Sequence, residues 1–172
     1  MEKSYIWFDT YEDDFIWVSL TNTGYNKIYD ILSKDPRLSS MEVFVALEFK
    51  NKDIYENVIK NVLDKDFEFT PVCMLDHSRS VNIDDAINAG IRNSRFIIVD
   101  LTGKNAGAYW EAGFGFGLGK EVILCCKKEE GKEIPELVHF DQNHFSILFY
   151  ETDGQLKEGL KNRIKSIPGL IP

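Results

Sequence analysis

The sequence predicts an α/β fold: a doubly wound, mostly parallel five-stranded sheet with a small β-hairpin and helix ahead of it. Three observations predict it. From Met41 onward, short runs of β-branched and aromatic residues alternate with longer stretches whose apolar residues recur at helical spacing. The short runs are almost continuously apolar, as strands covered on both faces require. Polar residues, Gly and Pro collect where one kind of stretch gives way to the other.

Residues 1–40 differ from the rest. Tyr5-Ile6-Trp7-Phe8 and Phe15-Ile16-Trp17-Val18-Ser19-Leu20 flank an acidic turn, Tyr11-Glu12-Asp13-Asp14, and read as a hairpin. Thr21 or Thr23 can cap a helix carrying Tyr25, Ile28, Tyr29 and Leu32 on one face, and Asp35-Pro36 ends it. This segment resembles the wing hairpin and final helix of a winged-helix domain without its earlier helices, so the chain is read as the C-terminal part of something longer. Acidic side chains outnumber basic ones here, which suits docking or dimer contact better than gripping phosphates.

The alternating pattern fills residues 41–172. Val43-Phe44-Val45-Ala46-Leu47 is the first buried strand. A helix follows, with Ile54, Tyr55, Val58, Ile59, Val62 and Leu63 on its apolar face. Phe69 to Met74 is the next strand, and Pro71 points to an outer position for it. After the loop Leu75-Asp76-His77-Ser78-Arg79-Ser80 comes a helix from about Asn82 to Asn93. It turns Ile83, Ala86, Ile87 and Ile91 inward and holds Asp84 and Asp85 in its first turn, where acidic residues complement the helix dipole.

The stretch from Ser94 to Cys126 organises the chain. Phe96-Ile97-Ile98-Val99 is a strand, and Asp100-Leu101-Thr102-Gly103-Lys104-Asn105 is a turn with a possible N-cap. A Gly/Ala-rich helix runs from about Ala106 to near Gly119, then a strand from Val122 to Cys126. Ligands of open α/β sheets bind outside the carboxyl ends of the strands, which groups Asp100, Asn105 and Glu111 around one crevice. Gly107, Gly113, Gly115, Gly117 and Gly119 are explained either by close packing on the sheet or by a ligand near the backbone. Gly119-Lys120 is no phosphate loop, because Glu121 replaces the required Ser/Thr. The Gly113-Phe114-Gly115-Phe116-Gly117 run follows a helix, so it is no dinucleotide fingerprint. A charged loop, a fifth strand from Phe145 to Tyr150, and a closing helix using Leu156, Leu160, Ile164 and Ile167 complete the chain.

Composition narrows the function. With 172 residues and 44% hydrophobic content, one ordinary domain plus an appendage can bury a sizeable core. No apolar stretch is long enough to span a membrane and no signal segment opens the chain, so it reads as soluble and cytoplasmic. A net charge of −8 makes nucleic acid an unsuitable partner. The three cysteines form no disulfide framework and read as reduced, buried thiols. His77, His139, His144 and the cysteines lack zinc-ligand spacing, and no metal or cofactor is expected. A serine hydrolase elbow is absent.

Carboxylate chemistry remains. Glu111, between Tyr109-Trp110 and Ala112-Gly113, with Asp84, Asp85 and Asp100 nearby in the predicted topology, suits glycosidic cleavage. One carboxylate meets an oxocarbenium-like carbon, a second group assists the leaving group, and aromatic residues stack on a base. The plainer alternative is that Glu111 caps or pairs within its helix.

Four blocks then carry a resemblance: VFVALEF, NIDDAINAGIRNSRFIIVDLT, NAGAYWEAGFGFGLGKEVI and VHFDQNHFSI. In order and spacing, from about Met41 to Ile167, they are similar to the nucleoside 2-deoxyribosyltransferase-like family. That family is close in fold to TIR domains. It includes N-glycosidase-like domains attached to winged-helix segments, some in bacterial anti-phage systems such as retron effectors. The resemblance implies a flavodoxin-like domain that cleaves or exchanges the N-glycosidic bond of a nucleoside, nucleotide or NAD-like substrate. It implies Glu111 as nucleophile and Asp84 or Asp85 as the acid near the leaving base. It also implies Asn105 and Tyr109 beside the sugar, and Ala46, Phe49 and Asp76 beside the base. In a homo-oligomer, Asn143 or His144 would complete a neighbour's site. The rivals are a non-catalytic nucleotide-sensing module, and an assembly domain using the aromatics of residues 5–29.

Overall fold

The computed structural model describes residues 6–10, 16–33, 40–76, 82–139, 145–167 and 170. The chain divides into two units, Met1–Ser39 and Ser40–Pro172.

In the first unit, β1 (Ile6–Thr10) and β2 (Ile16–Leu20) pair antiparallel, with Phe8 opposite Val18. Helix α1 (Asn22–Ser33) follows directly. Its cap is Thr21, whose Oγ1 accepts from the Gly24 N–H at 3.0 Å. Tyr25, expected on an apolar face, is 62% exposed.

The second unit is built on five parallel strands: β3 (Glu42–Ala46), β4 (Thr70–Cys73), β5 (Phe96–Asp100), β6 (Val122–Lys127) and β7 (Ile147–Tyr150). Their order across the sheet is β4-β3-β5-β6-β7, and every neighbouring pair is parallel. This is the expected doubly wound sheet. β4 takes an edge, where a missing Pro71 N–H costs no ladder bond.

Alternation along the strands makes two cores. Val43, Val45, Phe96, Ile98, Ile123 and Cys125 face one side. There they meet α2, whose turns include Lys52–Ile54 and two segments wound with i→i+5 bonds, Tyr55–Ile59 and Val62–Asp66. Helix α6 (Asp153–Ser166) closes the same side with Leu156, Leu160 and Ile164, started by a Thr152/Gln155 capping box. Phe44, Ala46, Ile97, Val99, Leu124 and Cys126 face the other side, against α3 (Ile83–Asn93), α4 (Ala106–Gly117) and the short α5 (Ile134–Leu137). The three cysteines are buried.

The glycines of α4 divide in purpose. Gly115 is buried, and a Cβ there would collide with Ile97 Cδ1, so its absence lets α4 lie close on β5. A Cβ at Gly113 or Gly117 would meet nothing within 4 Å. Among the described residues, no helix is long and apolar enough to cross a membrane.

Candidate functional site at the topological switch point

From β3 the chain departs to β4 on one side, and from β5 it departs to β6 on the other. The carboxyl ends of β3 and β5 therefore lead into loops that diverge, and a crevice at such a point is where ligands settle in open α/β sheets. A cavity of about 310 Å³ lies there. Phe44–Leu47 and Phe49 supply one wall, Cys73–Leu75 a second, and Ile83 and Ile87 of α3 a third. Asn105, Gly107, Ala108 and Glu111 close it from the first turns of α4.

Among the described residues that line the cavity, Glu111 is the only carboxylate. Among the described residues it makes no hydrogen bond or ion pair. Its surroundings are aliphatic and aromatic, and burial pushes the carboxyl up to about 7. Asn105 sits one residue ahead of α4, and its Oδ1 accepts from the Gly107 N–H at 2.9 Å. That bond fixes the amide, with the oxygen committed to the backbone and Nδ2 left to donate.

The structure thus brings Ala46, Phe49, Asn105 and Glu111 into one lining. The other expected residues lie elsewhere. Asp84 and Asp85 are exposed in the first turn of α3, and Asp85 Oδ2 accepts from Asn82 Nδ2 at 3.0 Å. Asp76 ends a short turn, Met74–Asp76, whose first two residues line the cavity. The Tyr109 hydroxyl accepts from the His139 backbone N–H at 3.0 Å, and the two rings meet edge to face at 4.8 Å, away from the cavity lining. Asn143 and His144 lie outside the described residues.

Asp100 is wholly buried and holds the loops behind the cavity together. Its Oδ1 accepts from the Thr102 N–H at 3.1 Å and from Thr102 Oγ1 at 2.5 Å, and its Oδ2 accepts from Asn51 Nδ2 at 3.1 Å. Thr102 Oγ1 in turn accepts from the Lys127 N–H at 2.8 Å. One carboxylate thereby ties the end of β5 to the loop after β3 and, through Thr102, to the end of β6. Desolvation raises its pKa, and these hydrogen bonds oppose the rise. Nearby, Gly103 has φ 79°, and a Cβ there would press within 2.9 Å of Lys50 Nζ.

Sequence reasoning did not anticipate Asn51 as the partner of Asp100, nor Met74 and Leu75 as cavity walls. Ile83 was expected to point inward. It is 55% exposed at the rim of the cavity, because α3 begins where the sheet's cover ends. A second concavity, about 390 Å³, lies at the opposite end of the strands between β6, β7 and α6. Among the described residues that line it, Arg163 is the only ionisable group.

No family model matches the sequence, and no curated protein matches it. Solved structures do. The TIR domain of the Toll-related receptor TRR-2 from Hydra magnipapillata superposes with a TM-score of 0.54 at 16% identity, over 72% of this chain and 94% of that one. That likeness shows the fold. The CMP N-glycosidase BcmB of Clostridium botulinum gives a TM-score of 0.49 at 17% identity, over 71% of this chain and 98% of that one.

Proposed function

We propose that the chain cleaves or exchanges the N-glycosidic bond of a nucleoside, nucleotide or NAD-like molecule held in the switch-point cavity, with Glu111 as the group that meets the anomeric carbon. The observation that carries this reading is a carboxyl lining the cavity without an ion-pair partner among the described residues, its pKa pushed up to about 7 by burial. Such a group is poorly solvated as an anion, and so is a reactive nucleophile once ionised. The cavity is at the lower limit of small-molecule sites, large enough for a base and its sugar. Phe49, Met74, Leu75, Ile83 and Ile87 offer apolar surface to a base, and the proposed role of Asn105 Nδ2, whose amide oxygen is held by the Gly107 N–H, is to donate to a sugar hydroxyl.

The Glu111 carboxylate adds to the anomeric carbon as the bond from that carbon to the base nitrogen breaks. The bonding pair leaves with the base, which takes up a proton. Water or a second base then attacks the same carbon and gives up its proton to the acid that protonated the first base, the ester to Glu111 opens, and the carboxylate is regenerated. Asp84 or Asp85 is the proposed source of the proton, from the first turn of the helix that also supplies Ile83 and Ile87.

The raised pKa also favours a second reading. At a pH below about 7 the carboxyl is mostly neutral and can donate a hydrogen bond to a bound base, as a non-catalytic nucleotide-binding module would need. Incubation with a panel of nucleosides, nucleotides and NAD, with free base followed by chromatography, separates the two. Base release lost in Glu111→Gln supports the enzyme. Binding by both proteins without release supports the module.

A further inference from the structure

The outer face of α3 and α4 carries large and charged side chains that stand exposed. Trp110 is 54% exposed and lies almost flat on Phe114, with ring centroids 5.3 Å apart and planes 10° from parallel. The Arg92 guanidinium sits 5.2 Å from the Phe114 centroid, on the side of α3. Trp110, Gly113 and Gly117 share one helical face, and both glycines are exposed. Each costs about 1 kcal/mol of helix stability relative to Ala, and among the described residues neither has a packing reason. Charge is sorted along α3: Asp84 and Asp85 stand exposed in its first turn, Ala89 is exposed in the middle, and Arg92 stands in its last turn. The twelve residues of α4 add no charge to the outer face, since Glu111 lines the cavity.

The geometry points to this face as the contact between two copies of the chain, related by a two-fold axis that crosses both helices at right angles. Such an axis lays α3 antiparallel to its symmetry mate. Each acidic first turn then faces the partner's Arg92, and the complementarity is satisfied twice. The α4 faces also run antiparallel, so each Trp110 meets a surface where two glycines allow close approach. An axis parallel to the helices would instead set α3 over the partner's α4, leaving Asp84 and Asp85 without a cation. For a chain of net charge −8, this is a face on which a second copy is not simply repelled. Helices of 11 and 12 residues, about 17 Å long and about 10 Å apart, give a footprint near the small end for specific interfaces. The dimer is accordingly expected to dissociate in the micromolar range. This inference does not depend on the role of Glu111 but sets Asp84 and Asp85, the proposed proton source, at the contact; its readout is mass, which the chemistry does not move.

The test is sedimentation velocity of the full chain from about 1 to about 200 µM, a range that brackets a micromolar dissociation constant. The expected mass rises from 19.8 kDa toward twice that value with concentration. Trp110→Lys and Arg92→Glu should each hold the chain as a monomer throughout. Combining Arg92→Glu with Asp84→Arg and Asp85→Arg should restore the dimer. Urea unfolding of each variant verifies that it is folded, and Trp110→Ala replaces Trp110→Lys if the latter is not. A wild-type monomer at the highest concentration overturns the inference. So does a dimer that survives in folded Trp110 and Arg92 variants, or a charge-swapped triple variant that stays monomeric.

Discussion

Glu111→Gln keeps the side chain's shape and removes its charge, so it isolates what the buried carboxyl costs the fold. Burial alone raises that carboxyl from 4.5 to about 7. The folded-state value lies above the unfolded one, so between those limits the folded chain retains a proton that the unfolded chain has released. Stability from this group is therefore fully present at low pH, falls as pH rises from about 4.5 to about 7, and levels off beyond. At about 1.36 kcal/mol per pH unit, the full loss has a ceiling of about 3 kcal/mol. The sequence pI near 4.9 discourages work close to the lower limit, so the comparison is best made at about pH 5.5 and about pH 8.5. Roughly 2 kcal/mol of the ceiling falls in that window, and water at the open side of the cavity cuts the expectation to about 1 kcal/mol. Glutamine does not titrate. Urea unfolding should therefore show the variant gaining on the parent by about 0.5 M in midpoint between the two pH values, for a slope near 2 kcal/mol/M. Other carboxylates titrate in both proteins and cancel in the difference. A midpoint gap that is the same at both pH values, or that favours the variant more at the lower one, refutes the assignment of a desolvated, unpartnered Glu111.

The remaining predictions concern rate and packing. If the ionised form of Glu111 attacks the sugar, base release by the parent should climb about tenfold per pH unit up to about pH 7 and flatten above it. A rate that instead falls through pH 7 assigns Glu111 as a general acid. Asp100→Ala strands the Thr102 and Asn51 donors and should cost about 2–3 kcal/mol in urea unfolding at neutral pH. A loss under about 0.5 kcal/mol, no more than an ordinary surface change, would deny Asp100 its tying role. Asn105→Ala should cost about 1 kcal/mol through the lost helix cap, and Asn105→Asp should restore most of it. Gly113→Ala should stabilise the chain by up to about 1 kcal/mol, whereas Gly115→Ala should destabilise it by about 1–2 kcal/mol by pressing on Ile97. Equal effects at the two glycines would contradict the packing assigned to α4.

Much of the site's position was legible before any coordinates. Val43–Ala46 and Phe96–Val99 are apolar at every position, which only a strand buried on both faces tolerates, and Pro71 placed its strand at an edge. The order of strands and helices then leaves few topologies, and in those the ends of β3 and β5 face a common gap. Glu111 and Asn105 could be grouped for that reason, while Ala46 and Phe49 were expected there only through the family resemblance. Tyr109 and Asp100 could not be distinguished from them. Both stand in the same stretch of chain, and residue type carries no sign of which way a side chain leaves its backbone. Tyr109 is one helical position away from Ala108, and that rotation of about 100° is enough to aim it at His139 instead of the cavity.

The local pattern of apolar and polar residues determined, by itself, which segments of residues 41–172 are strands, most of the buried helix positions (Ile83 excepted), and that the sheet is wound on both sides. These are properties of nearest neighbours along the chain, set by repeat lengths of two and 3.6 residues. Only the tertiary structure decided that, among the described residues, Glu111 has no hydrogen-bond or ion-pair partner while Asp100 accepts three hydrogen bonds. Desolvation and hydrogen bonding depend on groups far apart in sequence, such as Asn51 with Asp100 or Ile87 with Glu111, and the distances between them exist only once the sheet has closed.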